Sequence, residues 1–260
     1  MQQRDYILQE TNWKTVGTRA STEMFIAVLP WGATEAHNYH LPYGTDTIQC
    51  DYLAAHSAAR AREQGAAVMV LPTVPFGVQT GQLDIPFCIN LNPSTQAALL
   101  RDVAESLAGG GVRSLVVRNG HGGNSFRQII RELQPQVDVF LCAVDWFRIE
   151  PQGEYFKDLG DHAGEMETSV MRHIAGDLVR PLSEAGSGHA RRPTITGFRE
   201  GWAWTPRRWT QVTDDTGVGD PSAATPEKGQ RYTEAVIEKL STLYVELTEH
   251  AADNFARFYE

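Results

Sequence analysis

The stretch "MFIAVLPWGATEAHNYHLPYGTDTIQCDYLAAHSAARAREQG", residues 24–65, decides how the rest of the chain is read. It opens on an apolar run, "MFIAVLP" (24–30), without polar alternation, which is how a strand buried on both faces reads. It closes on a helical pattern over 46–64, with Asp46 placed to cap it and Gly65 to stop it. Between the two lies a short polar segment carrying Glu35, His37 and His40, with Asp46 just beyond.

The same strand–turn–helix unit recurs. "AAVMVLPTVPF" (66–76), "VRSLVVRNG" (112–120) and "VDVFLCAVDWF" (137–147) also read as strands buried on both faces. Helical patterns cover 93–108, started by Asn92 and Pro93 and stopped by "GGG", then 124–134, then about 226–250. This alternation predicts an α/β fold: a mostly parallel sheet with helices on both faces and right-handed crossovers. No repeat, low-complexity segment or linker interrupts it, and 260 residues suit a single domain over 1–260.

A net charge of −9 argues against nucleic acid and anionic membrane surfaces as partners. No apolar run approaches the length of a membrane span, and the N-terminus lacks an apolar signal core. The expectation is a cytoplasmic protein with a small-molecule substrate. Cys50, Cys88 and Cys142 are odd in number and far apart, so they read as small buried hydrophobes and not as disulfides or a zinc site.

Open parallel sheets bind ligands beyond the carboxyl ends of their strands. Two polar clusters leave strands there: the Glu35–Asp46 segment and "NGHGGN" (119–124) with His121. Glu35 and His37, two apart, point to the same side of an extended segment. The glycines around His121 permit unusual backbone angles and close approach of a ligand. Imidazoles with carboxylates and no thiolate suit zinc or manganese, and two ions if one carboxylate bridges. A third cluster, "DHAGEMETS" (161–169), adds Asp161, His162, Glu165 and Glu167 at a helix start.

Four motifs, "GATEAHNYHLPYGTD" (32–46), "NGHGGN" (119–124), "HAGEMETS" (162–169) and "GVGDPSAATPEKG" (217–229), resemble those of the creatininase family of metal-dependent amidohydrolases, in the family's order. The resemblance spans roughly residues 24–240. It implies a three-layer sandwich, two divalent ions per chain, zinc or manganese, and a homo-oligomer, commonly a hexamer. Carried onto this chain, Glu35 and His121 bind one ion, His37 binds the other, and Asp46 bridges. In creatininase a Glu two residues after the matching His completes the second site; here that position is Gly123. Other members with "NGHGG" carry a Glu in the "HAGE" motif, which makes Glu165 the expected remaining ligand and leaves Glu167 to a structural partner. His162 matches the family's catalytic histidine, with Asp161 placed to orient it.

The implied activity is hydrolysis of a C–N bond in a small cyclic amide or formamide by a metal-activated hydroxide, with His162 passing the proton to the leaving nitrogen. Hydrolytic opening of a cyclic ketone such as a keto-inositol is the alternative, and a catalytically silent binding protein is the second. The segment "GFREGWAWTPRRWTQ" (197–211), with Trp202, Trp204, Trp209, Arg207 and Arg208, reads equally as a lid over a planar or anionic ligand and as an oligomer interface.

Overall fold

The computed structural model describes residues 4–252, 254–256 and 258–259. Strands β1 (Ile26–Trp31), β2 (Val68–Val70), β3 (Ser114–Asn119) and β4 (Phe140–Asp145) form one wholly parallel sheet in the order β2-β1-β3-β4. The helices are α1 (Trp13–Ala20), α2 (Thr45–Glu63), α3 (Pro93–Gly109), α4 (Phe126–Leu133), α5 (Glu165–Ile174), α6 (Thr196–Arg199), α7 (Trp209–Val212) and α8 (Pro226–Ala252).

Period-two alternation sends successive strand residues to opposite faces. Ile26, Val28, Val68, Val70 and Val116 pack with Leu53, Ala54 and Ala58 of α2 and with Val236, Leu240 and Tyr244 of α8. Ala27, Leu29, Trp31, Leu115 and Val117 face the other way, onto Leu100 and Ala104 of α3 and Phe126, Ile129 and Leu133 of α4. The outcome is the expected three layers. Arg118 of β3, fully buried, ties the layers together by donating to the Cys50 carbonyl of α2.

Two expectations need correction. The run at 137–147 does not give a strand buried on both faces: β4 is one of the two edge strands, and only Leu141 along it is buried, whereas β2 at the other edge is buried throughout. Asp46 does not cap α2; Gly44 holds the cap position without a side-chain bond, and the Asp46 carboxylate is engaged elsewhere. Nor did the apolar pattern reveal α1, whose Val16 packs against Phe25, Ala67 and Met69 at the amino-terminal edge of the sheet.

From β1 the chain crosses by α2 to β2 on one side; from β3 it crosses by α4 to β4 on the other. The two crossovers step opposite ways and lie on opposite faces, as one common hand requires. The loops leaving β1 and β3 therefore diverge, and the crevice between them is the topological switch point where such sheets bind ligands. No helix among the described residues is long and apolar enough to cross a membrane.

Candidate metal centre

Six side chains meet in that crevice. The loop after β1 supplies Glu35 and His37, the first turn of α2 supplies Asp46, and the loop after β3 supplies His121. The segment entering α5 adds His162, and α5 itself adds Glu167. Asp46 stands in the middle: Oδ1 lies 3.1 Å from His37 Nε2, and Oδ2 lies 3.1 Å from His121 Nδ1. Glu35 Oε1 is 2.8 Å from His121 Nδ1 and 3.9 Å from both His37 Nε2 and His162 Nδ1. Glu167 Oε1 completes the far side, 3.8 Å from His37 Nε2.

Each imidazole is oriented by the backbone. His37 Nδ1 donates to the Glu35 carbonyl at 3.2 Å, His121 Nε2 to the Val78 carbonyl at 2.9 Å, and His162 Nε2 to the Ala36 carbonyl at 2.8 Å. Carbonyls only accept, so each of these nitrogens carries a proton, which leaves the opposite nitrogens to face the carboxylates. With a cation bound, those nitrogens of His37 and His121 would present lone pairs to it; without one, a second proton on each satisfies the carboxylates. Asp46 Oδ2, buried and without a hydrogen bond, points the same way. Three trios of donors have the spacing to hold an ion: Glu35/Asp46/His121, His37/Asp46/Glu167 and Glu35/His37/His162; only the first two share Asp46.

The electrostatics agree. Burial would lower His37, yet Asp46, Glu167 and Glu35 overturn it and raise the imidazole to about 10. Burial likewise opposes His121, which Glu35 and Asp46 lift well above the ordinary histidine range. Burial would raise Asp46, but His37 and His121 hold it below the usual carboxylate range. Three carboxylates this close require positive charge, which protons on the imidazoles or divalent ions supply.

Glu35, His37, Asp46 and His121 thus stand together as expected, but Glu165 does not join them. Fully buried, it accepts from the amides of Lys157 (2.8 Å) and Asp158 (2.9 Å) and pairs with Lys228 at the start of α8. These partners outweigh burial and lower its pKa. Residues two apart on a helix face away from each other, so only one of the pair can reach the crevice, and it is Glu167. Its second oxygen accepts from Ala163 N at 2.5 Å. The helical stripe Glu165, Ser169, Arg172 is committed to residues 224–228 instead. That commitment is not visible in the motif itself.

Asp161 is also displaced from its expected role. It is half-exposed, pairs with Arg207, and the Ala36 carbonyl orients His162 in its place. His40, buried beside the cluster, bonds Thr168 Oγ1 at 2.8 Å and is depressed to about 4 by burial and the His37 charge. The segment 197–211 divides. Trp209 packs on the His162 ring with centroids 4.6 Å apart, while Trp202 and Trp204 are exposed.

Gly120 and Gly123 of "NGHGGN" work by close approach, whereas Gly122 faces open space, and none of the three has a positive φ. A Cβ on Gly120 would lie 2.3 Å from Cys50 Sγ, and one on Gly123 would lie 2.1 Å from the Val78 carbonyl that holds His121. Position 123 therefore has no room for a glutamate in this backbone.

Comparison with known proteins decides the family. The sequence profile of the creatininase family, described as creatinine amidohydrolase, matches residues 9–244. The chain belongs to the creatininase family. It is a metal-dependent hydrolase by that membership. A solved Bacteroides fragilis structure, named as a candidate creatinine amidohydrolase, is 41% identical with a TM-score of 0.89, covering 95% of this chain and 98% of that one. The mycofactocin precursor peptide peptidase of Mycobacterium tuberculosis is 28% identical over 222 residues, 81% of each chain. The creatinine amidohydrolase of Pseudomonas putida is 26% identical over 255 residues, 89% of this chain and 93% of that one.

Proposed function

We propose that this creatininase-family chain is a binuclear amide hydrolase. Glu35, Asp46 and His121 hold one divalent ion, and His37, Asp46 and Glu167 hold the other. The observation that carries this reading is Asp46, one oxygen of which faces each trio. Zinc and manganese are the candidates: both suit the donor set, and solved creatininases of this fold are described as a Zn–Zn type and as a manganese form. Such a pair supplies an acidified water and a polarised carbonyl.

The chain's own residues supply the rest. The backbone carbonyls fix the imidazole tautomers, and His162 Nδ1, free of other bonds and facing Glu35, is placed to take a proton and pass it to the leaving nitrogen. Trp209 shields His162 from water on its outer side and offers an aromatic face to a planar substrate. The first substrate class is a small cyclic amide or a formamide. A peptide is the second, because a mycobacterial relative is named as a peptidase. Association into a homo-oligomer belongs to the same reading.

The test combines metal analysis with a substrate panel. Protein purified without chelator should hold two divalent ions per chain, and Asp46→Ala should lose both. His162→Asn should keep both ions while its turnover falls by about 10²–10⁴. The panel sets cyclic amides, formamides, short peptides and cyclic ketones side by side; hydrolysis confined to ketones would sink the amide reading.

A further inference from the structure

Behind Glu35 lies a second line of residues. Gln82 Nε2 is 2.5 Å from Glu35 Oε2, and both side chains are shut off from solvent. A carboxylate only accepts, so the amide must present its NH2 end there. The other end, Gln82 Oε1, receives the Cys88 thiol at 3.0 Å, and the Cys88 sulfur accepts from the Ala36 amide at 3.3 Å. Cys88 is therefore not the inert buried hydrophobe its sequence suggests.

The segment carrying these residues is held against the β1–α2 loop. Gln79 Nε2 donates to the carbonyls of Thr34 (2.6 Å) and Ile89 (2.8 Å). Phe87, just before Cys88, sits at φ 62° and is 85% exposed. A bulky residue in the left-handed region is a strained one, and its exposed ring gains little from burial. What the turn achieves is to point Cys88 inward.

One oxygen of Glu35 is thus committed to an amide, and the other alone faces His121. The partner is neutral, so it fixes the carboxylate without cancelling the charge a cation needs. We infer that Gln82 is the positioning residue that makes Glu35 a one-oxygen metal ligand, and that Cys88 sets which way round the Gln82 amide sits. The inference rests on the two-ion reading.

The test is chelator competition with zinc on Gln82→Met, Cys88→Ser and Cys88→Ala, beside the unaltered protein. Gln82→Met keeps the ion of the His37 trio at unaltered affinity and loses about 10–100-fold for the ion of the Glu35 trio, the usual range for a residue that orients a ligand. Gln82→Asn, too short to reach, gives the same selective loss if the methionine variant does not fold. Cys88→Ser keeps an O–H donor and binds as the unaltered chain does; Cys88→Ala falls below it. Unaltered affinity for both ions in Gln82→Met, or the same fold loss at both, overturns the inference and leaves the two-ion reading standing. Equal binding by the two Cys88 variants overturns the cysteine's part. An unaltered protein that takes up no zinc overturns both readings at once.

Discussion

Glu165 and Glu167 differ by two positions and by everything they touch. The first is bound by a lysine and two amides; the second has one oxygen facing His37. Glu167→Gln is therefore expected to lose the ion of the His37 trio with little change in unfolding midpoint. Glu165→Gln should retain both ions but unfold earlier, because it weakens a buried charge-assisted pair worth about 3–5 kcal/mol when broken outright. Metal content and thermal melts separate the two, and the reverse pattern would return the ligand role to Glu165. A second expectation concerns protons. Without metal, His37 titrates at about 10 and is protonated at pH 7. A metal ligand must be neutral, so loading expels that proton and affinity rises with pH. Calorimetry of zinc binding in buffers of differing ionisation enthalpy should show proton release. At this scale the sequence revealed Glu35, His37, Asp46 and His121, since polar segments leaving the carboxyl ends of parallel strands arrive at the same edge of the sheet. It could not choose between Glu165 and Glu167, because helical phase depends on what the helix packs against.

Among the elements, the loop after β3 is set by steric limits more than by freedom. Gly123 lies against the Val78 carbonyl and within 2.5 Å of His121 Nε2 once a Cβ is drawn. Gly123→Glu, which restores the residue creatininase carries there, should not restore a ligand. It should push Val78 away, break the His121 bond and lower zinc affinity; tighter binding would show that the loop has room to rearrange. The long helices were legible because each had a stop or start in the chain, such as Asn92–Pro93 before α3 and Gly65 after α2. β4 was misread as buried because what covers a strand is set by the packing around it, not by the run "VDVFLCAVDWF": of the two edge strands, β2 is buried throughout and β4 is not. The short helices α6 and α7 were invisible for a different reason: four residues carry no period.

For the whole molecule, the exposed apolar side chains bear on assembly. Trp204 is 84% exposed and Phe87 85%, with Trp202 also open to solvent. Such side chains suit the homo-oligomer proposed above, because Trp and Phe are enriched where protein surfaces meet. Sedimentation equilibrium should give a multiple of the chain mass, and a single species at the mass of one chain would refute it.

The four residues of the two trios that come first in the chain, Glu35, His37, Asp46 and His121, precede Glu167 by more than a helix and a strand. Glu167 rides on α5, whose Glu165, Ser169 and Arg172 are anchored to the entrance of α8. On the ribosome these events are ordered in time. The residues of the first trio emerge early, while Glu167 of the second is expected to reach its place only once α8 has been made and docked against α5. On the proposed two-ion reading, filling of the second position is expected to report late on folding, after the distant end of the sandwich has closed.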